Sequence, residues 1–345
     1  MREPLVSVVI PAKDQEPFIH TALMSVAGQR IGRDCVEVIV VNDGSTDDTM
    51  GVVESCASLF PLLTVIDSPQ SRGVSWARNA GLRAATGEFV GFLDPDDWLG
   101  PQFLASTVRA LRDLGVDFVR TDHTRHERGR RSVVRAPQAV RYEVLDPLAG
   151  IAECDSSTMI DYPFPWAGLF RRDVLVEHGV FFDESAATAE DREFMWQMHT
   201  CADSFSVISE AGVFYRRGVQ GSLTQAFTEA QFGFVDAFTS VLLRLSSLTA
   251  GSRAFAVRDD LLRKACRQLW VITFFHVDRY RRSGLPAVQV RSMTALLYDR
   301  LQEVVLRWPE VVAALDVFPQ PRRGVLLDFL REGAVTERMV QGAGK

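Results

Sequence analysis

Four short apolar runs occur in the first hundred residues, and each stops at a proline, an asparagine or an acid. They are LVSVVIP (5–11), VEVIVVN (36–42), LLTVID (62–67) and FVGFLD (89–94). Runs of this length, bounded this way, read as buried strands rather than helices. Between them the period changes. Phe18, Ile19, Ala22, Leu23, Val26 and Ala27 recur at helical spacing. DGSTDDT (43–49) reads as a turn whose Ser45 or Thr46 caps the next helix. Residues 74–85 read as a helix closed by Gly87, 101–114 as another helix, and VDFVRT (116–121) as a strand. Strand and helix alternate, which predicts an α/β fold: a mostly parallel sheet flanked by helices on both faces. Sheets of this kind take ligands in the crevice at the carboxyl ends of their strands. The strand ends here deliver Pro11 and the AKD after it, then Asp43, Ser68 and Asp94.

Beyond residue 122 the alternation breaks. HTRHERGRRSVVR (123–135) reads as an arginine-rich hairpin or loop, and 140–165 as irregular, with Pro147, Pro163 and Pro165. A strand and a helix follow over 166–179, a helix begins within 188–202, and SVISEAGVFYRR (206–217) reads as a strand pair. From about residue 226 the pattern is helical. Two domains are expected, 1–225 and 226–345. In the second, arginine clusters flank an apolar run within RDDLLRKACRQLWVITFFHVDRYRRSG (258–284). That pattern points to packing or self-association, with peripheral contact at an anionic membrane surface as the alternative.

Composition narrows the class. The net charge of −6 argues against a nucleic-acid protein. The longest apolar run, LWVITFF (269–275), is far short of the roughly 20 residues that span a bilayer. The start has no apolar stretch followed by a small-residue cleavage site, so a cytoplasmic protein is expected. The five cysteines show no CxxC spacing and read as free thiols.

The chemistry concentrates in FVGFLDPDDW (89–98), where Asp94, Asp96 and Asp97 fall within four positions at a strand end. Such a cluster could be a solvated loop before the next helix. It also suits a divalent cation bound to a nucleotide diphosphate, which takes one or two protein carboxylates and fills its shell with phosphate oxygens. Asp43 arrives at the same sheet edge. In RGVSWARNAG (72–81), Arg78 lies near the start of a helix that follows a glycine-containing loop, where it could meet a diphosphate or be an ordinary surface arginine. Glu190 and Asp191, within AED (189–191), could be catalytic or could complement a helix dipole. Trp166 could stack on a sugar or belong to the core.

The ordered set of a proline-ended first strand, NDGSTD, RGVSWARNAGLRAATGEFVGFLDPDD and AED resembles glycosyltransferase family 2, inverting enzymes of the Rossmann-like GT-A fold. LFRRDVLVEHGVFFDES and a helical tail resemble, more narrowly, its wall teichoic acid and polysaccharide-modifying members. The resemblance implies that Pro11 and Asp43 hold the nucleobase of a nucleotide-sugar, with UDP the expected nucleotide. It implies that Arg78 sits by base and diphosphate, Asp94 at the ribose, and Asp96 on Mn²⁺ or Mg²⁺. Asp191 would be the catalytic base and Glu190 its support. PAKD stands where the family often has an aromatic and an asparagine. The expected activity is transfer of a hexose or N-acetylhexosamine, with inversion, to an anionic or lipid-linked envelope glycan. From the residues themselves, Arg128, Arg130 and Arg131 would either face an anionic acceptor, since an arginine fork matches phosphate, or form a solvated hairpin tip; Trp166 would join the acceptor side if it stacks on a sugar. A nucleotidyltransferase would carry a glycine-rich loop where PAKDQEPF stands. A non-catalytic binding module would not need both Asp96 and Asp191.

Overall fold

The computed structural model describes residues 3–153, 156–186, 188–218 and 228–343, with side chains described through residue 334. The chain divides into two compact units. One comprises Met1–Ile151, Ser157–Ser185 and Glu190–Ser222; the other comprises Ala152–Ser156, Ala186–Ala189 and Leu223–Lys345.

The first unit is built on a nine-stranded sheet. β1 (Val6–Ala12), β2 (Val36–Asp43), β3 (Leu63–Ser68) and β4 (Phe89–Phe92) are the four apolar runs of the sequence. They are followed by β5 (Trp98–Leu99), β6 (Phe118–Glu127), β7 (Arg130–Val134), β8 (Gly168–Arg171) and β9 (Phe205–Arg217). The order across the sheet is β3-β2-β1-β4-β8-β6-β9-β5, with β7 paired to β6. β1 to β4 are parallel, β8 runs against both β4 and β6, and β6 and β9 are again parallel. The carboxyl ends of β1–β4, β6 and β9, and the segment entering β8, therefore share one edge. β1 and β2 are buried at every position, as two-sided cover requires. Helices α1 (Ile19–Ala27), α2 (Thr49–Cys56), α3 (Val74–Ala84), α4 (Phe103–Leu114), α5 (Arg172–Glu177) and α6 (Glu190–Cys201) complete the unit. Gly81 lets α3 approach β1, because a Cβ there would lie 2.3 Å from Val9.

Strand order reverses at β1, so the crevice lies between β1 and β4. The two strands pair only from Val6–Phe89 to Val9–Phe92, whereas β1 stays on β2 as far as Ala12–Asn42. Pro11 falls in the stretch where β1 has left β4, and it has no N–H to lose there.

Two local expectations change. Ser45 and Thr46 do not cap α2; they tie its approach to the loop after β1. Asp14, at φ 50°, donates its backbone N–H to Ser45 Oγ and accepts from the N–H and hydroxyl of Thr46. Residues 206–217 are not a strand pair but part of one 13-residue strand, β9.

The second unit is helical: α7 (Phe234–Ser246), α8 (Arg258–Arg281), α9 (Ala287–Arg307), α10 (Pro309–Ala313) and α11 (Arg322–Ala343). Its core includes Phe232, Phe238, Leu242, Leu261, Leu269 and Trp270. The indole N–H of Trp270 donates to the Val311 carbonyl at 2.6 Å. Among the described residues, no helix is long and apolar enough to cross a membrane.

Candidate active site

The crevice is walled on the β2 side by a loop that the protein shapes itself. Asp43, at the end of β2, is buried. Its Oδ1 accepts the Arg72 N–H at 2.6 Å, and its Oδ2 accepts the Gly73 N–H at 2.9 Å and the Ser71 hydroxyl at 2.8 Å. Three of a carboxylate's roughly four acceptor positions are thus spent on holding residues 71–73, which lead into α3. Gly44 makes this fit possible. It sits at φ 70°, and a Cβ there would meet the backbone of Ser71 at 2.8 Å. Pro11 is buried in β1 opposite Val41.

Arg78, on the first turns of α3, is the hub of the site. Its guanidinium forks to Asp94 at 2.9 Å and to Glu190 at 2.7 Å. Burial opposes the charge, but the fields of Asp94 and Glu190, followed by Asp191, outweigh it and fix Arg78 as a cation. The residue expected beside base and diphosphate thus joins the strand-end acids to the start of α6. Ala189 precedes α6 at φ 64°, a conformation that costs a non-glycine residue energy and that turns the chain sharply into Glu190 and Asp191. Asp191 is half-buried. Burial first, and Glu190 second, push its carboxyl up to about 7, against the opposing charges of Arg192 and Arg78.

The strand-end acids divide their work. Asp94 faces Arg78. Asp97 is 1% exposed; its Oδ1 accepts the Arg216 N–H at 2.6 Å and its Oδ2 is buried without a hydrogen-bond partner. Burial, then Asp94 and Asp96, raise its carboxyl well above the usual range. Asp96 is half-buried, and burial followed by Asp94 raises it to about 6. Asp94 crowds Asp96 and Asp97 so that both resist ionisation, a repulsion that a divalent cation beside Asp94 and Asp96 would relieve. Asp96, with Asp94 beside it, is therefore chemically fit to hold one. Among the described residues, no three acidic, histidine or cysteine side chains gather to hold a metal by themselves. Most ligands would have to come from a bound diphosphate.

Arg216 was not singled out by the sequence. Its guanidinium lies over the rings of Phe18 and Trp98, at 5.1 and 5.0 Å, and its Nε donates to the Asp96 carbonyl at 2.8 Å. This places a held cation against the acid cluster.

The expected acceptor residues lie at the β6–β7 hairpin and in the segment before β8. Arg128 and Gly129, at φ 50° and 74°, form the two-residue turn between β6 and β7, and Arg128, Arg130 and Arg131 are exposed there. Arg131 lies 5.4 Å over the Phe214 ring. Trp166, just before β8, is 4% exposed.

Residues 7–179 match the family model "Glycosyl transferase family 2". The chain belongs to glycosyltransferase family 2. Among its relatives in this family, it is 29% identical to "Uncharacterized glycosyltransferase EpsJ" of Bacillus subtilis, over 64% of this chain and 63% of EpsJ. It is 27% identical to the Staphylococcus aureus protein "Poly(ribitol-phosphate) beta-N-acetylglucosaminyltransferase TarS", over 62% of this chain and 36% of TarS. The chain thus spans less than two thirds of these relatives' lengths. Its fold is similar to that of S. aureus TarS 1-349 in complex with UDP-GlcNAc, with a TM-score of 0.71, 21% identity and cover of 97% of this chain and 92% of that one. The GT-A fold expected of the family, with a helical C-terminal part, is the fold observed.

Proposed function

We propose that this chain transfers a hexose or N-acetylhexosamine from a UDP-sugar to a hydroxyl of a cell-envelope polymer, with inversion at the anomeric carbon. The observation that carries the reading is the convergence at one crevice of an acid cluster, an Arg78 fork, and Asp191 with a carboxyl near neutrality. A base poised near 7 suits removal of a proton from an alcohol whose own pKa is far higher. One base on the face opposite the leaving diphosphate gives a single displacement, so an α-linked donor would yield a β-glycoside.

The residues then take these roles. Pro11, Asp43 and the loop Asp43 holds would line the nucleobase pocket. Asp94 would meet the ribose, and Asp96 would bind Mn²⁺ or Mg²⁺ together with the diphosphate. When bound, such a cation supplies charge neutralisation for the leaving diphosphate. Arg216 supports the same charge from the protein side. Arg78 acts as a positioning residue that sets Glu190, and through it Asp191, against the acid cluster. The names and titles of the TarS relatives support a UDP-sugar donor and a teichoic-acid-like acceptor, which the exposed Arg128 and Arg130 suit. The exposed Val271 and Phe275 of α8 support self-association of the helical unit.

The test is a screen of UDP-glucose, UDP-galactose and UDP-GlcNAc for UDP release that depends on both Mn²⁺ and a teichoic acid or polysaccharide acceptor. Anomeric NMR of the product should show the β-linkage. UDP release from none of these donors, or an α-linked product from an α-linked donor, would overturn the reading.

A further inference from the structure

The carboxyl edge of the sheet has two unlike halves. Around β1, β2 and β4 it presents acids and Arg78. Around β6, β8 and β9 it presents rings: His123 on β6, Tyr162, Phe164 and Trp166 in the segment entering β8, and Tyr215 on β9. Phe164 lies 4.7 Å from the Trp166 indole at 26°, and Tyr215 lies 5.1 Å from it at 31°. The Phe164 and Tyr215 centroids are 6.3 Å apart. A sandwich about the indole would separate them by roughly 10 Å, the two stacking distances end to end. The two rings therefore sit side by side, tilted modestly against one buried tryptophan. Phe164 and Tyr215 are partly exposed, while Trp166 beneath them is buried.

This shelf stands on a fixed polar frame. Tyr162 donates its hydroxyl proton to the Thr121 carbonyl at 3.0 Å, so His123 Nδ1 is the donor in the 2.5 Å contact with the Tyr162 oxygen. His123 meets Phe164 and Trp166 edge-on at 5.2 and 5.0 Å. Burial, then Arg120 and Arg125, hold the imidazole at about 4, so it is neutral under the shelf at ordinary pH. Arg120, fully buried, donates to the Tyr162 carbonyl at 3.0 Å. The shelf also borders the strand-end acids. Burial raises the Tyr215 hydroxyl, Arg217 opposes the shift, and the charges of Asp97 and Asp94 add to it. The next residue, Arg216, bonds Asp97 directly.

A neutral, paired aromatic surface suits a particular ligand shape. The axial C–H face of a pyranose carries slight positive charge and lies flat on the negative faces of aromatic rings. An open polyol has no such face. Arg217, 5.8 Å from the Tyr215 ring, supplies hydrogen-bond donors at the rim. We propose that Phe164 and Tyr215 form the subsite that receives a pyranose ring of the acceptor, with Trp166 as its backing. The acceptor's reactive end is then a sugar ring rather than a bare polyol phosphate. This rests on the glycosyl-transfer reading above.

The test is saturation-transfer NMR on the full chain, with methyl β-D-glucopyranoside and ribitol as probes and UDP present throughout. Saturation should reach the axial ring hydrogens of the glycoside and not ribitol. The glycoside should bind roughly two- to tenfold more weakly to Phe164→Ser and Tyr215→Ser, the scale of one lost aromatic contact. UDP affinity should be retained in both. Phe164→Tyr should keep the signal, which separates stacking from simple loss of core. Equal saturation of ribitol, an unchanged signal in both serine variants, or no signal in the wild type would each overturn the proposal. Displacement of the glycoside by UDP-GlcNAc and UDP-glucose but not by UDP would assign the shelf to the donor's sugar and overturn it as well. Failure of the wild type to bind UDP would instead count against the glycosyl-transfer reading, leaving the glycoside result to stand by itself.

Discussion

Arg78 and Glu190 lie 112 positions apart in sequence and 2.7 Å apart in the fold. That ion pair, together with the 2.9 Å pair from Arg78 to Asp94, couples the acid-bearing strand end to the start of α6. The guanidinium is nearly buried, and neither carboxylate is more than a quarter exposed. The arrangement is a charge triad, not a surface pair, and its members cannot be removed singly without leaving uncompensated charge.

Arg78→Ala should therefore cost stability as well as activity. Loss of one member of a buried pair is worth about 3–5 kcal/mol. Urea denaturation of Arg78→Ala should show a loss of that order, and Arg78→Lys an intermediate one, because an ammonium lacks the planar fork that meets two carboxylates. Turnover should fall in both. An Arg78→Ala variant with wild-type stability would show that the triad contributes nothing net.

Asp96→Ala should abolish Mn²⁺-dependent binding of UDP. Its carboxyl is held up at about 6 by burial and by Asp94, so metal binding at this site must displace a proton over part of the useful range. In the wild type, calorimetric titration of UDP with Mn²⁺ should accordingly strengthen from pH 5 to pH 7. Metal-independent UDP affinity, or affinity that does not change over that interval, would remove Asp96 from the metal site.

Much of the half of the crevice around β1 to β4 was readable from the sequence, because these strands announce themselves as apolar runs and each ends on that edge. The half around β5, β6, β8 and β9 was harder. β5 has two residues and no period to detect. β9 looked like two strands because Glu210, Ala211 and Gly212 resemble a turn. The strand continues because Gly212 packs beside Phe103 of α4, and its carbonyl accepts the Gly100 N–H at 2.6 Å. Arg216 was missed for a related reason. Its partners are Asp97, 119 positions away, and two rings from separate elements. Trp166 drew notice as a large aromatic residue, yet the exposed faces belong to Phe164 and Tyr215, which only the tertiary fold brings together.

The β6–β7 hairpin should read charge on the acceptor. Arg128→Ser with Arg130→Ser should raise the KM for an anionic, sugar-bearing teichoic acid acceptor and leave the donor KM unchanged. The acceptor KM of the wild type should also climb more steeply with salt than that of the double variant. Arg131→Ser should behave differently, because it removes a cation stacked on Phe214 and so loosens the strand pair as well. An unchanged acceptor KM in the double variant would leave the hairpin as a solvated turn.

Asp191→Asn tests the base directly. The amide keeps the shape of the carboxylate and cannot take a proton, so kcat should fall roughly 10²–10⁴-fold while UDP affinity stays near wild type. The pH profile carries the sign. With the Asp191 carboxyl at about 7, kcat/KM should fall about tenfold per unit below that pH, since the protonated acid cannot accept the acceptor's proton. The residual activity of Asp191→Asn should lose that limb. Stability should move the opposite way. The folded state holds a proton on Asp191 that the unfolded chain releases near the ordinary value of 3.8, so this group's contribution declines as pH rises from about 4 to 7. Asp191→Asn should then be at least as stable as the wild type at pH 8, with the difference shrinking toward pH 4. A variant that is slower and also less stable at pH 8 would make Asp191 a structural carboxylate. One that transfers sugar at the normal rate would place the base elsewhere, with Glu190 the first to examine.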